Sequence, residues 1–471
     1  MKSDKVNLLL VIARFVGLSL ADLCQKGGKM MGGNFYCQAV KAVRYQNVGH
    51  AGFYEEVVGM SNDGTCTTKA KHFNSPLSPF DEELSLHIRG PSAVKQIAVY
   101  VPGSDNKVTE RAHGHGHSHA KALHNIHQND IAKKDKVIAT IDGQVVSWEN
   151  NWFDPSADSS LTTLVTETAK KPSTDVSTFE ITVTRTAITT TCTISQVIGT
   201  DVSKTSTAIP IFGPMPTIPS VTDVQDDSHD NSKQKHAYKR TSYYEASLQT
   251  VENLAFLGNF GGQGSGVWDS IYGNSLSYIN CNATSGASTH QILADTLIPS
   301  NREVIITTGN KCENGDCGFV RPGAVAYHGF GGDDKVFLVE IGMPSDGQTG
   351  VNGADAPAVW LLNAKVPRVR QYGIDGHCSC WPGCGELDIA EALSVGSRLL
   401  KSTVHAEASG GDSDYFNRPM QGTMTILTVL RGDEIFIGIV PNLKFPDKLT
   451  SQQMDAWMHS DATTISDFTI A

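Results

Sequence analysis

At 471 residues the chain exceeds what one ordinary hydrophobic core holds, which points to two or three units joined by linkers. Only 18% of residues are charged, Gly numbers 44, and Ser and Thr fill long stretches, a composition that excludes a helical bundle or coiled coil and favours an all-β, loop-rich, exported protein. With 38 Lys and Arg against 49 Asp and Glu, the formal charge of −11 argues against a nucleic-acid partner and leaves neutral or cationic ligands open.

Lys2 and Lys5 flank an apolar run over 6–21, and Ser19 and Ala21 are spaced like a signal-peptidase site, so residues 1–21 read as a secretory signal. Arg14 interrupts that run and keeps an amphipathic N-terminus as the competing reading. No later apolar run reaches the ~18 residues of a membrane span, and residues 466–471 lack the apolar tail of a lipid-anchor signal. The expectation is a secreted chain with no membrane span.

Residues 24–104 read as a small glycine-rich β unit. Leu84, Leu86 and Ile88 alternate with polar residues, Gly90-Pro91 breaks the run, and Ile97, Val99 and Val101 alternate again. Its aromatics Phe35, Tyr36 and Tyr100 suit a core, or a platform for a sugar. Residues 105–240 read as a disordered linker. His113, His115, His117, His119, His124 and His127 make it a solvated spacer or a transition-metal tract. Ser, Thr and Pro then dominate 156–222 like an O-glycosylated stalk, although Phe179, Ile181 and Val183 alternate as a strand does. Lys239-Arg240 marks a candidate processing site.

Residues 241–460 read as a β-sandwich or jelly roll. Strand-like runs lie at 336–341, 358–362, 386–390 and 399–405, and those at 424–430 and 435–440 flank a hairpin turn, Arg431-Gly432-Asp433-Glu434. Asn282-Ala283-Thr284 is the single N-glycosylation sequon. All ten cysteines follow residue 21, and an even count in an exported chain reads as disulfides. Zinc competes for Cys378, Cys380 and Cys384, but these lack paired spacing and need a distant fourth ligand. The expectation is no metal and no cofactor.

The chemistry concentrates in Trp381-Pro382-Gly383-Cys384-Gly385-Glu386-Leu387-Asp388-Ile389-Ala390-Glu391. On a strand Glu386 and Asp388 share a face, whereas Glu391 is five positions on and joins them only if one extra residue bulges at Ile389-Ala390. Three acids in line repel one another, and retaining glycoside hydrolysis supplies a reason for the cost: one carboxylate attacks the anomeric carbon while a second, protonated carboxyl assists departure. Asp388 between them shares hydrogen bonds and charge with both neighbours. An exposed acidic strand face accounts for the same spacing. Trp381, on a loop beside Pro382, is a candidate to stack on sugar, as is Trp360, for which a core role is equally open. His405 is placed to bond a carboxyl or a sugar hydroxyl, or to be a satisfied structural histidine.

Glu386-Leu387-Asp388-Ile389-Ala390-Glu391 resembles the bulged active-site strand of the laminarinase-like members of glycoside hydrolase family 16. Pro357-Ala358-Val359-Trp360-Leu361-Leu362 looks like that family's preceding strand, and Ser402-Thr403-Val404-His405 like the following one. The whole chain is similar to the fungal cell-wall "target of SBF" proteins. The N-terminal match rests on Gly32-Gly33-Asn34-Phe35-Tyr36-Cys37 and Asp81-Glu82-Glu83-Leu84-Ser85, the C-terminal one on Tyr327-His328-Gly329-Phe330-Gly331-Gly332 and Cys378-Ser379-Cys380-Trp381. The resemblance implies a concanavalin-like sandwich with Glu386 as nucleophile, Asp388 as assisting acid and Glu391 as general acid/base. Ala390 departs from it, since related strands often carry a bulkier residue there.

The expected function is therefore a secreted cell-wall enzyme with endo-1,3-β-glucanase activity, retaining mechanism and β-glucan as its partner. A glucan transglycosylase and a non-catalytic glucan-binding wall protein are the alternatives. If residues 105–240 are an extended stalk, limited proteolysis cuts there first and leaves two resistant pieces. A resistant linker between sensitive flanks reverses the assignment.

Overall fold

The computed structural model describes residues 28–103, 136–141, 144–149, 238–351, 353–371, 378–411, 413–441, 443–459 and 465–470. The expected signal, the histidine tract and the Ser/Thr/Pro-rich stretch lie outside them. The fold is the expected all-β sandwich of two large sheets.

A nine-stranded sheet runs in the order Thr250–Glu252, Tyr238–Glu245, Ala93–Pro102, Asp334–Gly342, Met424–Arg431, Glu434–Ile439, Ala42–Gln46, Ile465–Thr469, with Lys448–Leu449 paired to Tyr238–Glu245. A ten-stranded sheet faces it: Gly286–Ala287, Ser277–Ile279, Leu254–Gly258, Glu303–Thr308, Leu84–Arg89, Ala358–Asn363, Glu386–Glu391, Leu399–His405, Gly410–Gly411, with Phe416–Asn417 beside Leu399–His405. The expected strands at 336–341, 358–362, 386–390 and 399–405 all fall within these elements. The expected hairpin is present too, its turn opened by Gly432 at φ 66°, the left-handed conformation that glycine adopts without strain.

Alternation along each strand builds the core. Leu84, Leu86 and Ile88 from one sheet meet Ile97, Val99, Phe337, Val339 and Ile341 from the other, and Leu387, Ile389, Val404, Ile426 and Ile437 extend the same cluster. The outer face of the nine-stranded sheet is also apolar, with Tyr100, Val336, Leu338 and Val429 packed under Met454 and Met458 of the short helix Ser451–Met458. Thr450 and Gln453 form a capping box at that helix's N-terminus.

Strand pairing corrects the division into separate units at 24–104 and 241–460. Leu84–Arg89 pairs with Glu303–Thr308 on one side and Ala358–Asn363 on the other. Ala93–Pro102 lies between Tyr238–Glu245 and Asp334–Gly342. The two stretches thus share both sheets and one core. Period-two alternation announces a half-buried strand, but it carries no information about which strand lies beside it. Within the expected linker, Lys136–Ile141 and Gln144–Glu149 form a two-stranded antiparallel hairpin.

Disulfides join Cys66 to Cys378, Cys312 to Cys317 and Cys380 to Cys384, Cys37 and Cys281 are also disulfide-bonded, and no described cysteine is free. The disulfide reading of Cys378, Cys380 and Cys384 therefore replaces the zinc alternative. No helix among the described residues is long and apolar enough to cross a membrane.

Leu84, Leu86, Ile88, Val94, Ile97 and Val99 are each at most 1% exposed. Burial of each contributes about 1.5–3 kcal/mol, so together they rival the ~5–15 kcal/mol that holds a typical domain folded. A chain nicked between 105 and 240 is accordingly expected to stay together: the two pieces co-elute on native gel filtration even after reduction, and a fragment of residues 238–471 alone shows no cooperative melt by circular dichroism. Cooperative unfolding of that fragment by itself would show the inserted strands to be dispensable.

Candidate active site

The six residues Glu386–Glu391 form one strand with a bulge where the alternation requires it. Asp388 stands opposite Trp360 and Ala390 opposite Val359, so Ile389 is the extra residue, and on the other side the register slips between Asp388 and Glu391. Leu387, Ile389 and Ala390 consequently point into the core, where Ala390 is fully buried. Glu386, Asp388 and Glu391 line the opposite face, 4%, 6% and 9% exposed.

Each acid has a different partner. The Trp381 indole N–H donates to Oε2 of Glu386, so that oxygen is held as an acceptor. Oδ2 of Asp388 lies 3.0 Å from Nε2 of His405, and the Trp381 and His405 rings sit 6.2 Å apart at a tilt of 49°. Burial alone would lower the His405 pKa, but the bond to Asp388 and the charges of Glu386 and Glu391 outweigh it and raise it to about 9, so the imidazole is cationic at neutral pH. Glu391 accepts from Nη2 of Arg89 at 3.0 Å. Burial and the charge of Asp388 push its carboxyl up to about 7, with Arg89 and His405 pulling the other way.

Of the residues expected from sequence, Glu386, Asp388, Glu391, Trp381 and His405 thus form one connected group. Trp360 underlies it at 4% exposure, with His87 stacked on its ring at 5.1 Å and no partner for its N–H among the described residues. The packing around it includes Tyr54, Leu362 and Cys380, so much of the indole belongs to the floor of the site.

Sequence reasoning missed the contribution of Leu84–Arg89. The residues between its core leucines, Ser85, His87 and Arg89, face the acids' side of the sheet. Oγ of Ser85 lies 2.7 Å from Nε2 of His87, and Nδ1 of His87 lies 2.5 Å from Oε1 of Glu303. The amide of Gln371 also donates to Glu303, at 2.9 and 3.0 Å. The signal was the polar half of the alternation already used to identify the strand.

The same stretch of chain builds two flanks of the site. The hairpin Gly52–Met60 and Cys66–Phe73 packs Tyr54 and Phe73 beside Trp360 and Trp381, and Cys66–Cys378 ties it to the segment that carries Trp381. At the Glu391 end, the hairpin Lys29–Met31 and Asn34–Tyr36 receives Lys401, whose ammonium donates to the Phe35 carbonyl at 3.1 Å and lies 5.4 Å from the Tyr36 ring. A separate cluster of Cys312, Asp316, Cys317 and His328 has metal-ligand types, but its two sulfurs are joined to each other and Asp316 pairs with His328 at 3.1 Å.

Residues 236–457 match the family described as "Cell wall protein YJL171C/Tos1, C-terminal", and residues 41–102 match its N-terminal counterpart. A Candida albicans protein named "Probable circularly permuted 1,3-beta-glucanase TOS1" is 35% identical over 93% of this chain and 95% of its own length. A Saccharomyces cerevisiae protein of the same name is 35% identical over 97% of this chain and 98% of its own. An Arthroderma benhamiae "Probable circularly permuted 1,3-beta-glucanase" is 33% identical over 92% of each. No solved structure matches. Both family matches, and identity that extends across nearly the whole of these relatives, make the chain a member of the Tos1 family of cell wall proteins.

Proposed function

We propose that the protein is a secreted glycoside hydrolase that cleaves β-1,3-glucan of the cell wall with retention of configuration. The observation that carries this reading is the contrast between two glutamates on one bulged strand: Glu386 bonded to an N–H that can only donate, and Glu391 buried with its carboxyl pushed up to about 7. Such a difference in environment is what separates a nucleophile from an acid. The relatives' names, which include 1,3-β-glucanase, support the choice of substrate.

In the first step a Glu386 oxygen bonds to the anomeric carbon as the bond to the glycosidic oxygen breaks, and Glu391 gives its proton to that oxygen. In the second, Glu391, now a carboxylate, takes a proton from water as the water oxygen displaces Glu386 from the same carbon. Asp388, held by the cationic His405, lies between the two glutamates and keeps a negative charge beside Glu391, which helps Glu391 retain its proton at neutral pH. Trp381 positions Glu386 through its N–H and offers its ring to the sugar.

The two glutamates are expected to fail differently when removed. Glu386→Ala abolishes turnover of glucan and of an aryl β-glucoside, by roughly 10³-fold or more. Glu391→Ala stops glucan cleavage but still forms the glycosyl-enzyme from the aryl substrate, and azide speeds its breakdown to a β-glycosyl azide. Rescue of the Glu386 variant to an α-glycosyl azide swaps the roles. Wild-type protein that releases no sugar from laminarin supports the non-catalytic wall protein, and longer oligosaccharides among the products support a transglycosylase.

Activity also carries a sign in pH. Glu391 must hold its proton for the first step, and its pKa is raised to about 7, so kcat/KM on laminarin falls as pH rises through about 7. A pH–rate profile still level at pH 9 would remove Glu391 from the acid's role.

A further inference from the structure

Arg89 arrives at the acids from a strand that is not their neighbour. Ala358 pairs with Arg89 on one side and with Glu391 on the other, so a single strand separates the two residues. With strands ~4.8 Å apart, the backbones of Arg89 and Glu391 stand ~10 Å from each other, a gap their two side chains close from opposite ends over the small side chain of Ala358. Specific contacts fix the guanidinium there. Nε donates to the Ala356 carbonyl at 2.8 Å, Nη2 donates to Oε1 of Glu391 at 3.0 Å, and the guanidinium carbon lies 6.0 Å from the centre of the Trp360 ring. The side chain is 4% exposed, and a planar cation so anchored cannot swing away as a surface lysine can.

We propose that Arg89 is the positioning residue of Glu391: it engages one carboxyl oxygen so that the other carries the proton toward the scissile bond, and it steadies the carboxylate left when the proton has gone. The proposal rests on the reading of Glu391 as acid/base.

Charged and titratable groups face Glu391 from every side. Asp388 and Glu386 share its strand, His405 and Lys401 come from Leu399–His405, Tyr36 from the N-terminal hairpin, and Arg89 from Leu84–Arg89. His405 is bonded to Asp388, and Lys401 directs its ammonium to Phe35, so Arg89 is the cation hydrogen-bonded to Glu391 among these contacts. Burial and Asp388 drive the carboxyl toward its neutral form while Arg89 opposes them. That opposition matters most in the second step. There Glu391 must be a carboxylate that accepts a proton from water as the water oxygen bonds to the anomeric carbon and the Glu386 ester bond breaks. A carboxyl left without Arg89 keeps its proton too readily to be regenerated as an acid and a base at one pH.

The test uses the full chain with ¹³C-labelled glutamate carboxyls, the Glu391 signal assigned by its loss in Glu391→Gln, and laminarin as substrate. Arg89→Met is expected to move the Glu391 titration, and with it the alkaline limb of the rate profile, upward by about one pH unit or more, while kcat on laminarin falls at least tenfold. Arg89→Lys keeps the charge but loses the fork. Its titration stays near that of the wild type, and its kcat falls about tenfold with KM little changed. If Arg89→Met lacks the near-ultraviolet circular dichroism of the folded chain, Arg89→Lys decides: wild-type kcat in that variant overturns the proposal. An unmoved Glu391 titration in folded Arg89→Met overturns it as well. Because the titration is read without substrate, it is distinguishable from failure of the glucanase reading, which appears as wild-type protein inactive on laminarin.

Discussion

The pairing of Leu84–Arg89 between Glu303–Thr308 and Ala358–Asn363 governs the rest of the structure, because one strand performs two tasks through its two faces. Toward the nine-stranded sheet it contributes Leu84, Leu86 and Ile88 to the core. Toward the acids it contributes Ser85, His87 and Arg89. The strand that follows, Ala93–Pro102, crosses to the middle of the other sheet. A chain segment of fewer than twenty residues therefore sits at the centre of both layers, far in sequence from every strand it touches.

The bulge at Ile389 is the second constraint, and it depends on the first. Without the extra residue, strict alternation would turn Glu391 toward the core among Leu387, Val404 and Ile426, where an unpaired carboxylate is costly. With it, Glu391 is brought to the polar face and within reach of Arg89, which only the inserted strand supplies. The small residues Ala358 and Ala390 serve the same geometry from opposite faces of the sheet. Ala358 leaves room for the guanidinium, and Ala390 fits the crowded core where two successive residues point inward.

Electrostatics on the polar face follow from burial. Glu386, Asp388 and Glu391 are nearly closed to solvent, so their mutual repulsion is screened little and must be answered by nearby donors and cations. Trp381, His405 and Arg89 are those answers, one for each acid. The arrangement leaves the acids unequal, and inequality is what acid–base chemistry with two carboxyls requires.

How much of this was legible in the sequence depends on the range of the interaction. The all-β class and the shared face of Glu386 and Asp388 are consequences of local alternation, whereas Glu391 joins them only through the bulge at Ile389, which alternation permits and the strand register decides. The bonds that Trp381 and His405 make to the acids were partly legible, since both residues lie near the acid strand in sequence or on the strand beside it. Arg89, His87 and the flanking hairpins were not, and neither was the merging of two apparent units into one sandwich. Strand partnership across more than 200 residues is chosen by how faces of matching shape bury one another, a property of the assembled core that no local pattern encodes. The sequence by itself determined that Glu386 and Asp388 share one face; the tertiary structure decided that Glu391 joins them and which donor meets each acid, because only the packed sheet sets the bulge and brings Arg89 across Ala358 to Glu391.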